Sequence, residues 1–536
     1  MVKRFISKTT IIIALLISFS SANIYSQNTS NLSIYKLIRF IQYVSSEYVD
    51  TVSSERIVDD AIIGTLKKLD PHSVYITKED VKAMNEPLEG NFEGIGVEFN
   101  ILNDTLIVVN PIPGGPSERV GIMPGDRVID VDGKNVAGIG LKNSEVFKML
   151  RGDKGTQVTV RILRRNSSKP LEFNIIRDKI PIHSLDASYM IDDKIGYIKL
   201  NRFALTTESE FLEALLKLKE EDMQHLILDL RGNGGGYLNA SVALADHFLK
   251  EKKLIVYTEG RNSPKTDFIA TTKGELQEGR LVILIDEGSA SASEIVAGAV
   301  QDWDRGIIIG RRSFGKGLVQ NQLPLPDGSM VRLTVARYHT PTGRVIQKPY
   351  NPNELESYYS ELTQRYNNGE FFHADSISIP DSLKYFTLNT GKVVYGDGGI
   401  MPDIFIPVDT THYSEYYGKL IRKGIINQFI HTYIDKNRSN LKRNYGSFEK
   451  FNKNFTVNQN IIDELLTFAE NQGLESDSDG FNTSKDEILI QLKALIALNQ
   501  FSTNYYFQIV NQNNKALQKA IDVLNSWDSY KHLVKD

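Results

Sequence analysis

Apolar residues recur along this chain with different spacings, and each change of spacing marks a new region. Between about residues 32 and 85 they have helical spacing as far as the breaker pair Asp70-Pro71, which predicts a small helical domain. From Gly94 to Asp178, short β-rich runs alternate with Pro-Gly and Asp-Gly turns. This second pattern predicts a compact β-rich domain.

Four apolar segments farther along the chain predict buried strands, with helical patterns between them. The strands are KIGYIKL (194–200), HLILDL (225–230), LVILID (281–286) and GIIIG (306–310), and the helical patterns cover 207–221, 237–250 and 291–303. This alternation predicts a parallel sheet covered by helices. From about residue 411 onward the chain is rich in Asn and Lys and keeps helical spacing, so we expect an all-helical appendage without chemistry of its own.

The N-terminus has the order of a secretory signal. Lys3, Arg4 and Lys8 precede the apolar run 11–19, and small residues follow as far as Ala22. The apolar run is short for a membrane span, so an uncleaved anchor is the lesser alternative. A buried helix would have no amphipathic face here. The sequence therefore predicts export to the periplasm or cell envelope, with cleavage after Ala22 or Ser26.

Together these patterns predict five segments in chain order. They are a signal peptide (1–26), an N-terminal helical domain (27–85), a β-rich domain (86–178), an α/β core (179–410) and a C-terminal helical extension (411–536).

The composition excludes several kinds of binding site and catalytic residue. The 536 residues are 41% hydrophobic and 24% charged with a net charge of -4, which gives no electrostatic footprint for nucleic acid. Cysteine is absent, so disulfides, thiolate metal sites and cysteine nucleophiles are excluded. The nine histidines form no HExxH motif, and we expect neither a metal nor a cofactor. Covalent catalysis would have to use Ser, Thr, Lys or a carboxylate.

The β-rich domain opens with a candidate peptide-binding loop, Gly94, Ile95, Gly96 and Val97. Two glycines around Ile95 allow successive N–H groups to converge on a carboxylate, and Val97 to Ile101 could offer a strand edge to a peptide. The later segment GIMPGDRVIDVDG (121–133) supplies a turn, a strand and a hairpin in the order of PDZ domains, which this block resembles. The alternative is that both glycines merely permit a tight turn.

A serine and a lysine follow two neighbouring strands of the predicted sheet. Ser291 lies in EGSASASEI, where a helix begins, and Lys316 lies in SFGKGLVQ after the next strand. Adjacent parallel strands would bring both to one sheet edge. A lysine with the ordinary pKa of about 10.4 is a poor base at neutral pH, so burial would have to lower it. From the spacing alone, Ser291 can equally be a helix cap in an S-x-x-E box, and Lys316 a solvated loop cation.

A glycine-rich segment, LDLRGNGGGYL (228–238), connects another predicted strand to a helix. Its glycines would expose backbone N–H groups at the same sheet edge. A phosphate-binding loop is the competing interpretation, but the segment lacks the GK[ST] ending and does not match GxGxxG.

SASASEI followed by a strand and GKGxxQ resembles the Ser-Lys motif of the tail-specific, C-terminal processing peptidases, serine peptidase family S41. The resemblance implies that Ser291 is the nucleophile, Lys316 the base and Gln320 the group that orients the lysine. It also implies oxyanion donors at Gly236 and Ala292, with a shift from Gly236 to Gly235 left open.

Two further segments resemble core motifs of the same peptidases. They are YHTPTGRVIQ (338–347) and VYGDGGIMPD (394–403), the latter with Asp397 where glycine is usual. In all, the resemblance extends over about residues 32–408.

The implied fold is a multidomain α/β protein, with a PDZ domain and a crotonase-like Ser-Lys peptidase core between helical ends. The implied function is an exported serine endopeptidase acting on protein or peptide substrates with free C-termini. One alternative is an inactive PDZ scaffold that only binds tails. A crotonase-like acyl-transfer enzyme is another, disfavoured because a small thioester offers no peptide strand. An adaptor, an oligomer and peripheral membrane association remain open.

Overall fold

The computed structural model describes residues 32–102, 104–164, 167 and 169–535. The predicted signal peptide lies outside the described residues. The described chain forms two compact units. The smaller unit combines the described part of residues 1–78 with 321–334 and 350–355, and the larger unit contains the rest.

The smaller unit begins with helices, as the apolar spacing predicts. They are α1 (32–47) and α2 (Ser54–Leu66), followed by the short strand β1 (Val74–Ile76). The Ser53 side chain caps α2 by accepting a hydrogen bond from the N–H of Arg56. After α2, the Asp70 carboxylate accepts hydrogen bonds from the N–H groups of His72 and Ser73, which turns the chain into β1. Strand β1 pairs antiparallel with residues 330–332.

The β-rich domain follows a helix, α3 (Lys78–Glu89). Its elements are β2 (Asn91–Gly94), β3 (Val97–Leu102), β4 (Thr105–Pro111), α4 (Pro116–Arg119), β5 (Arg127–Val131), β6 (Lys134–Asn135), α5 (Asn143–Leu150), β7 (Gln157–Leu163), β8 (Leu171–Ile176) and β9 (Asp178–Pro181). The main sheet has the order β3-β4-β5-β7-β8, so β3 is an edge strand. Strands β2 and β9 form a separate ribbon in which Gly94 pairs with Asp178.

The central α/β core belongs to the larger unit, except for residues 321–334 and Leu355, which belong to the smaller unit. Its elements are β10 (Leu185–Met190), β11 (Ile195–Leu200), α6 (Thr207–Glu220), β12 (His225–Asp229), α7 (Leu238–Asp246), β13 (Leu254–Gly260), β14 (Ser263–Ile269), β15 (Leu281–Ile285), α8 (Ala292–Asp302), β16 (Ile307–Gly310), β17 (Leu318–Pro324), β18 (Met330–His339), α9 (Leu355–Asn367), β19 (Lys384–Phe386), β20 (Val393–Tyr395) and β21 (Ile404–Phe405).

The sheet order β10-β11-β12-β15-β16-β21 confirms the predicted parallel sheet. All neighbours from β11 to β21 are parallel, and β10 is antiparallel at one edge. The four predicted strands agree with β11, β12, β15 and β16 to within one residue at each end.

The C-terminal region is helical, as predicted. It contains α10 (Glu415–Arg422), α11 (Ile425–Asn444), α12 (Phe448–Asn454), α13 (Gln459–Asn471), α14 (Ser478–Thr483), α15 (Lys485–Gln500), α16 (Thr503–Val510), α17 (Lys515–Asn525) and the 3-10 helix Trp527–Leu533. Among the described residues, none of these or the earlier helices combines the length and apolar content needed to cross a membrane.

This region is not a separate appendage, however, because part of it completes the core. One face of the parallel sheet packs against α6, α7 and α8. The opposite face, which includes Tyr197, Ile227 and Val282, packs against Leu524 of α17 and against Trp527. The sheet is therefore covered on both sides, as a parallel sheet must be, and the second cover comes from the end of the chain.

Candidate active site

Ser291 lies at the point where the chain leaves β15 and enters α8. Its backbone has φ 55° and ψ -110°, a sparsely populated combination for a residue other than glycine. Such a conformation costs about 1–3 kcal/mol and persists only where the surroundings impose it. All residues of α8 are buried, so the positive end of the helix dipole at Ser291 is poorly screened by solvent.

The three serines of SASAS differ in their surroundings. Ser289 and Ser293 are fully buried, and their hydroxyls donate to the carbonyls of Leu230 at 2.8 Å and Asn233 at 2.9 Å. Ser291 is partly exposed. The outer serines therefore fasten this loop to the glycine-rich segment, while the middle serine faces accessible space.

The glycine-rich segment lies directly against Ser291. A Cβ atom on Gly235 would lie 2.8 Å from the Ser291 Cβ and 2.9 Å from the Ala292 nitrogen, so only glycine fits there. The N–H of Gly235 donates to the Asn233 side chain at 2.9 Å. Within the described residues, the N–H groups of Gly236 and Ala292 donate to no protein acceptor. Ala292 directly follows Ser291, and Gly236 directly follows Gly235, so both N–H groups stay candidates for the predicted oxyanion donors.

A buried ion pair lies at the start of the glycine-rich segment. Asp229, at the end of β12, is fully buried and accepts hydrogen bonds from Arg231 at 2.6 Å and from the Tyr197 hydroxyl at 2.7 Å. Burial alone would raise the pKa of Asp229, but the charges of Arg231 and Lys199 hold it below its usual range. Arg231 also donates to Asn514, which caps α17.

Lys316 occupies the loop after β16, which pairs in parallel with β15. Both loops therefore leave the same edge of the sheet, as the sequence predicts. The Lys316 ammonium lies 3.3 Å from the Gln320 side-chain oxygen. The structure thus brings together Lys316 and the residue that the resemblance assigns to orient it.

A second lysine lies nearby and has a different partner. Lys348 is buried, and its ammonium forms a 3.0 Å ion pair with Glu361 and lies 4.2 Å from the Phe314 ring. Burial lowers the pKa of Lys348, while the Glu361 charge opposes that shift. Phe314, two residues before Lys316, is thus in contact with Lys348.

The sequence predicts Glu294 only as the acidic residue of the S-x-x-E capping box, whereas in the structure its carboxylate also bonds the loop after β16. Its carboxylate is buried and accepts four hydrogen bonds. The donors are the N–H of Ser291 (2.7 Å), the hydroxyl of Ser313 (2.5 Å), the N–H of Gly315 (2.6 Å) and the N–H of Lys316 (2.9 Å). Burial raises the pKa of Glu294 to about 7 even though these donors lower it. No signal in the local sequence predicts the three donors from the loop after β16.

The predicted peptide-binding loop lies between β2 and β3. Gly94 belongs to β2, whereas Ile95 and Gly96 connect to the edge strand that begins at Val97. Within the described residues, the N–H groups of Ile95 and Gly96 donate to no protein acceptor, while their carbonyls accept from Ser117 and Ile112.

Gly96 has φ 72°, and a Cβ there would lie 2.8 Å from Ile180. A side chain at this position would therefore strain the domain besides filling the concavity. The tight-turn interpretation therefore holds for this glycine, and its role in peptide binding stays a prediction.

Among the described residues, no group of three or more His, Asp or Glu side chains is arranged to hold a metal ion.

Three sequence families match successive parts of the chain. Peptidase family S41 matches residues 194–354, a PDZ domain matches 107–164, and a family of unknown function (DUF8443) matches 416–502.

Two sequence relatives agree with these family matches. The carboxy-terminal-processing protease of Bartonella bacilliformis is 36% identical over 349 residues, which cover 64% of this chain and 78% of the relative. The carboxy-terminal processing protease CtpB of Bacillus subtilis is 36% identical over 316 residues, but the match covers 58% of this chain and only 65% of that relative.

Among solved structures, a photosystem II D1 C-terminal processing protease is 27% identical with a TM-score of 0.37, over 70% of this chain and 87% of that protein. The sequence relatives carry the assignment, because one of them is matched over more than two thirds of its length at well above 30% identity. The chain belongs to the carboxy-terminal processing proteases of peptidase family S41.

Proposed function

We propose that this chain is an exported serine endopeptidase that selects proteins by their C-terminal tails and cleaves them with Ser291 and Lys316. The observation that carries the proposal is the Ser291 geometry. A partly exposed hydroxyl is held in a strained backbone at the start of a buried helix, and the lysine loop is bonded to the same helix through Glu294.

In the proposed reaction, the neutral Lys316 amine accepts the proton of the Ser291 hydroxyl as its oxygen attacks the scissile carbonyl. The resulting ammonium then protonates the leaving amine, which gives an acyl-enzyme and the first product. Water loses a proton to Lys316 and attacks the ester, and that proton returns to Ser291 as the acid is released. Gln320, 3.3 Å from the Lys316 nitrogen, orients the amine.

The negative oxygen that develops in each step would be stabilised by the N–H groups of Gly236 and Ala292. Both are unused by protein acceptors in the described chain, and both lie where the glycine-rich segment meets the start of α8. The neighbouring Gly235 N–H is bonded to Asn233, which supports Gly236 over Gly235 as the donor. Donors fixed before the reaction stabilise this charge without reorganising.

Tail recognition is proposed for the PDZ domain. The N–H groups of Ile95 and Gly96 would bind the terminal carboxylate, and the unpaired edge of β3 would extend its sheet with the incoming peptide. Residues 1–26 would direct export. N-terminal sequencing of protein recovered from the cell envelope, expected to begin after Ala22 or Ser26, tests that part.

The test of the function is a gel-based cleavage assay on a disordered polypeptide with a free hydrophobic C-terminus. Wild type should cleave it, and Ser291→Ala should not, while tail binding measured by fluorescence anisotropy stays unchanged. Ser289→Ala and Ser293→Ala are matched controls, which lose a buried hydrogen bond worth about 1 kcal/mol yet keep cleavage. Substantial turnover by Ser291→Ala would overturn the nucleophile assignment.

The same assay separates the alternatives. A tail-binding scaffold would bind the free tail and leave the substrate whole in both wild type and Ser291→Ala. An acyl-transfer enzyme would hydrolyse a small thioester and ignore the polypeptide.

A further inference from the structure

The loops that carry Ser291 and Lys316 are joined by two buried side chains that sequence motifs do not assign to catalysis. The first is Glu294. One of its oxygens accepts from the N–H of Ser291 at 2.7 Å and from the N–H of Lys316 at 2.9 Å. The other accepts from the Ser313 hydroxyl and the N–H of Gly315. A single carboxylate thereby fixes the backbone of both loops.

The second side chain is Tyr338, at the C-terminal end of β18. It is 1% exposed, and its hydroxyl lies 3.1 Å from the carbonyl oxygen of Ser291 and in contact with the carbonyl oxygen of Lys316. The single hydroxyl proton is shared between these two acceptors. The N–H of Tyr338 also donates to the Gly317 carbonyl at 3.0 Å. Glu294 therefore accepts hydrogen bonds from the N–H groups of Ser291 and Lys316, and the Tyr338 hydroxyl lies against the carbonyl groups of the same two residues.

We infer that Glu294 and Tyr338 are positioning residues that hold the Ser291 and Lys316 backbones in one mutual geometry, so that the lysine amine reaches the serine hydroxyl. The inference rests on the proposed function. The two residues reach the site from different elements, since Glu294 lies in the first turn of α8 and Tyr338 in β18. One backbone bond also joins the two loops, from the N–H of Phe314 to the carbonyl of Ser289 at 2.9 Å, but it involves neither Ser291 nor Lys316.

Proton transfer between two side chains depends steeply on their separation, and a displacement of about 1 Å can cost about 100-fold in rate. The two loops belong to different strand-to-helix and strand-to-strand connections, so sheet pairing alone leaves their ends adjustable. Four hydrogen bonds to one carboxylate and a shared hydroxyl remove that freedom.

The sharpest variant is Glu294→Gln, which keeps size and shape. An amide has one acceptor oxygen and an NH₂ group that can only donate. If the NH₂ faces Ser291 and Lys316, two N–H groups lose their acceptor. If it faces Gly315, that N–H loses its acceptor while Ser313 can rotate its hydroxyl. The first orientation separates Ser291 from Lys316, and the second keeps their shared acceptor but frees the peptide group of Gly315 directly before Lys316. Tyr338→Phe removes only the hydroxyl and keeps the ring.

Asp304→Asn is the matched control. Asp304 is also fully buried, and it accepts from the N–H groups of Asn389 at 3.1 Å and Thr390 at 2.9 Å and from the Thr390 hydroxyl at 2.9 Å. It contacts neither Ser291 nor Lys316 in the described hydrogen bonds. Its φ of 51° is one that asparagine tolerates. The control thus breaks a comparable network without touching the site.

The experiment measures kcat and KM on the free-tail polypeptide, the melting temperature, and labelling of Ser291 by a fluorophosphonate, with rates scaled to the folded fraction. We expect Glu294→Gln to lower kcat about 100-fold and Tyr338→Phe about 10-fold, with KM changed by less than about threefold and labelling slowed in parallel. Asp304→Asn should lower the melting temperature and keep kcat.

If Glu294→Gln and Tyr338→Phe lose only melting temperature and keep wild-type kcat and labelling, the positioning role is wrong. If KM rises while kcat holds, the two residues serve binding and the inference is also wrong. A folded wild type that neither cleaves nor reacts with the fluorophosphonate would overturn the proposed function itself, and the inference with it.

Discussion

The loops that carry Ser291 and Lys316 differ from the PDZ loop at Ile95 and Gly96 in how their backbone groups are bonded. Around Ser291 and Lys316, the backbone N–H groups of both residues are bonded to Glu294, which alone accepts four hydrogen bonds. Around Ile95 and Gly96, the carbonyls are bonded and the N–H groups have no protein acceptor within the described chain. The backbone of the first site is held by a buried carboxylate, and the second site lies beside an edge strand.

The proposed function accounts for this difference. Bond cleavage requires atoms to be held within a fraction of an ångström, so the core accepts the cost of burying a carboxylate and straining Ser291. Recognition of many tails requires unsatisfied donors that a peptide can complete, which exposed backbone at a sheet edge provides. Changes in the first site should therefore affect the rate of chemistry, and changes in the second the choice of substrate.

Lys316→Arg gives the largest expected effect. Arginine keeps the positive charge but does not deprotonate near neutral pH, so it cannot accept the Ser291 proton. We expect Lys316→Arg to lose at least about 10³-fold in kcat, nearly as much as Lys316→Ala. Steady-state kinetics on the free-tail polypeptide measures this. An active arginine variant would mean that the charge matters and the base does not.

Removing the PDZ domain should have a smaller, substrate-dependent effect. Gly94 and Asp178 are direct partners in the β2–β9 ribbon, so residues 95–177 can be replaced by a short glycine linker without separating the ends. Wild type should cleave a free-acid peptide about 10-fold or more faster than its C-terminal amide, because the amide lacks the charge that the N–H groups bind. The deletion variant should not discriminate between the two peptides.

Competition between the two peptides in a single tube measures that ratio directly. Circular dichroism confirms folding of the deletion variant beforehand. Equal wild-type rates on acid and amide would remove tail recognition while leaving Ser291 catalytic.

Ionisation of Glu294 should change the stability and the activity of the protein in opposite directions as the pH rises. Its pKa is raised from 4.5 to about 7 in the folded chain, so the folded state binds the proton more tightly than the unfolded state between these values. Stability from this group is therefore complete below about pH 4.5 and is lost as the pH rises through about 7, by a few kcal/mol. The tyrosines that face it, Tyr338 and Tyr358, stay neutral throughout.

Activity should move the other way, since only the ionised carboxylate accepts all four donors and only neutral Lys316 acts as base. Urea unfolding and kcat measured from pH 5 to 8 test both trends. In Glu294→Gln the pH-dependent loss of stability should disappear, and its persistence would assign that loss to another group.

The smallest expected effect lies where the PDZ domain meets the C-terminal helices. Arg127 of β5 forms a 3.0 Å ion pair with Asp435 of α11, and both side chains are about a quarter to a third exposed, at 31% and 24%. Such a pair is worth less than about 1 kcal/mol. Asp435→Asn should change the acid-to-amide cleavage ratio by less than about twofold and leave kcat unchanged. A large fall in kcat would show that this contact controls the catalytic core.

The sequence predicted the elements whose apolar residues form continuous runs. Strands β11, β12, β15 and β16 are fully buried or nearly so, and their boundaries follow from where the apolar runs begin and end. The hairpin β13–β14 and the long strand β18 were missed, because their buried and exposed positions mix along TEG, SPKTDFI and MVRLTVARYH. Half-buried strands with charged residues give no clear period.

For the candidate site, the motifs located Ser291, Lys316, Gln320 and the glycine-rich segment, and the roles given to them stay predictions. The four-donor environment of Glu294 could not be predicted, because Ser313, Gly315 and Lys316 reach it only after β15 and β16 pair. The closure of the sheet by α17 was missed for the same reason. Amphipathic spacing shows that a helix has an apolar face and does not show what that face covers.

The position of that cover in the chain bears on how the protein is made. Tyr197, Ile227 and Val282 are buried beneath Leu524 and Trp527, which are separated from them by more than two hundred residues of sequence. During synthesis, helices α6 to α8 can assemble on the first face of the sheet as soon as they emerge. The second face stays open to water and to chaperones until residues 515–534 leave the ribosome. Arg231, next to the glycine-rich segment, gains its bond to Asn514 only when this last part of the chain is in place.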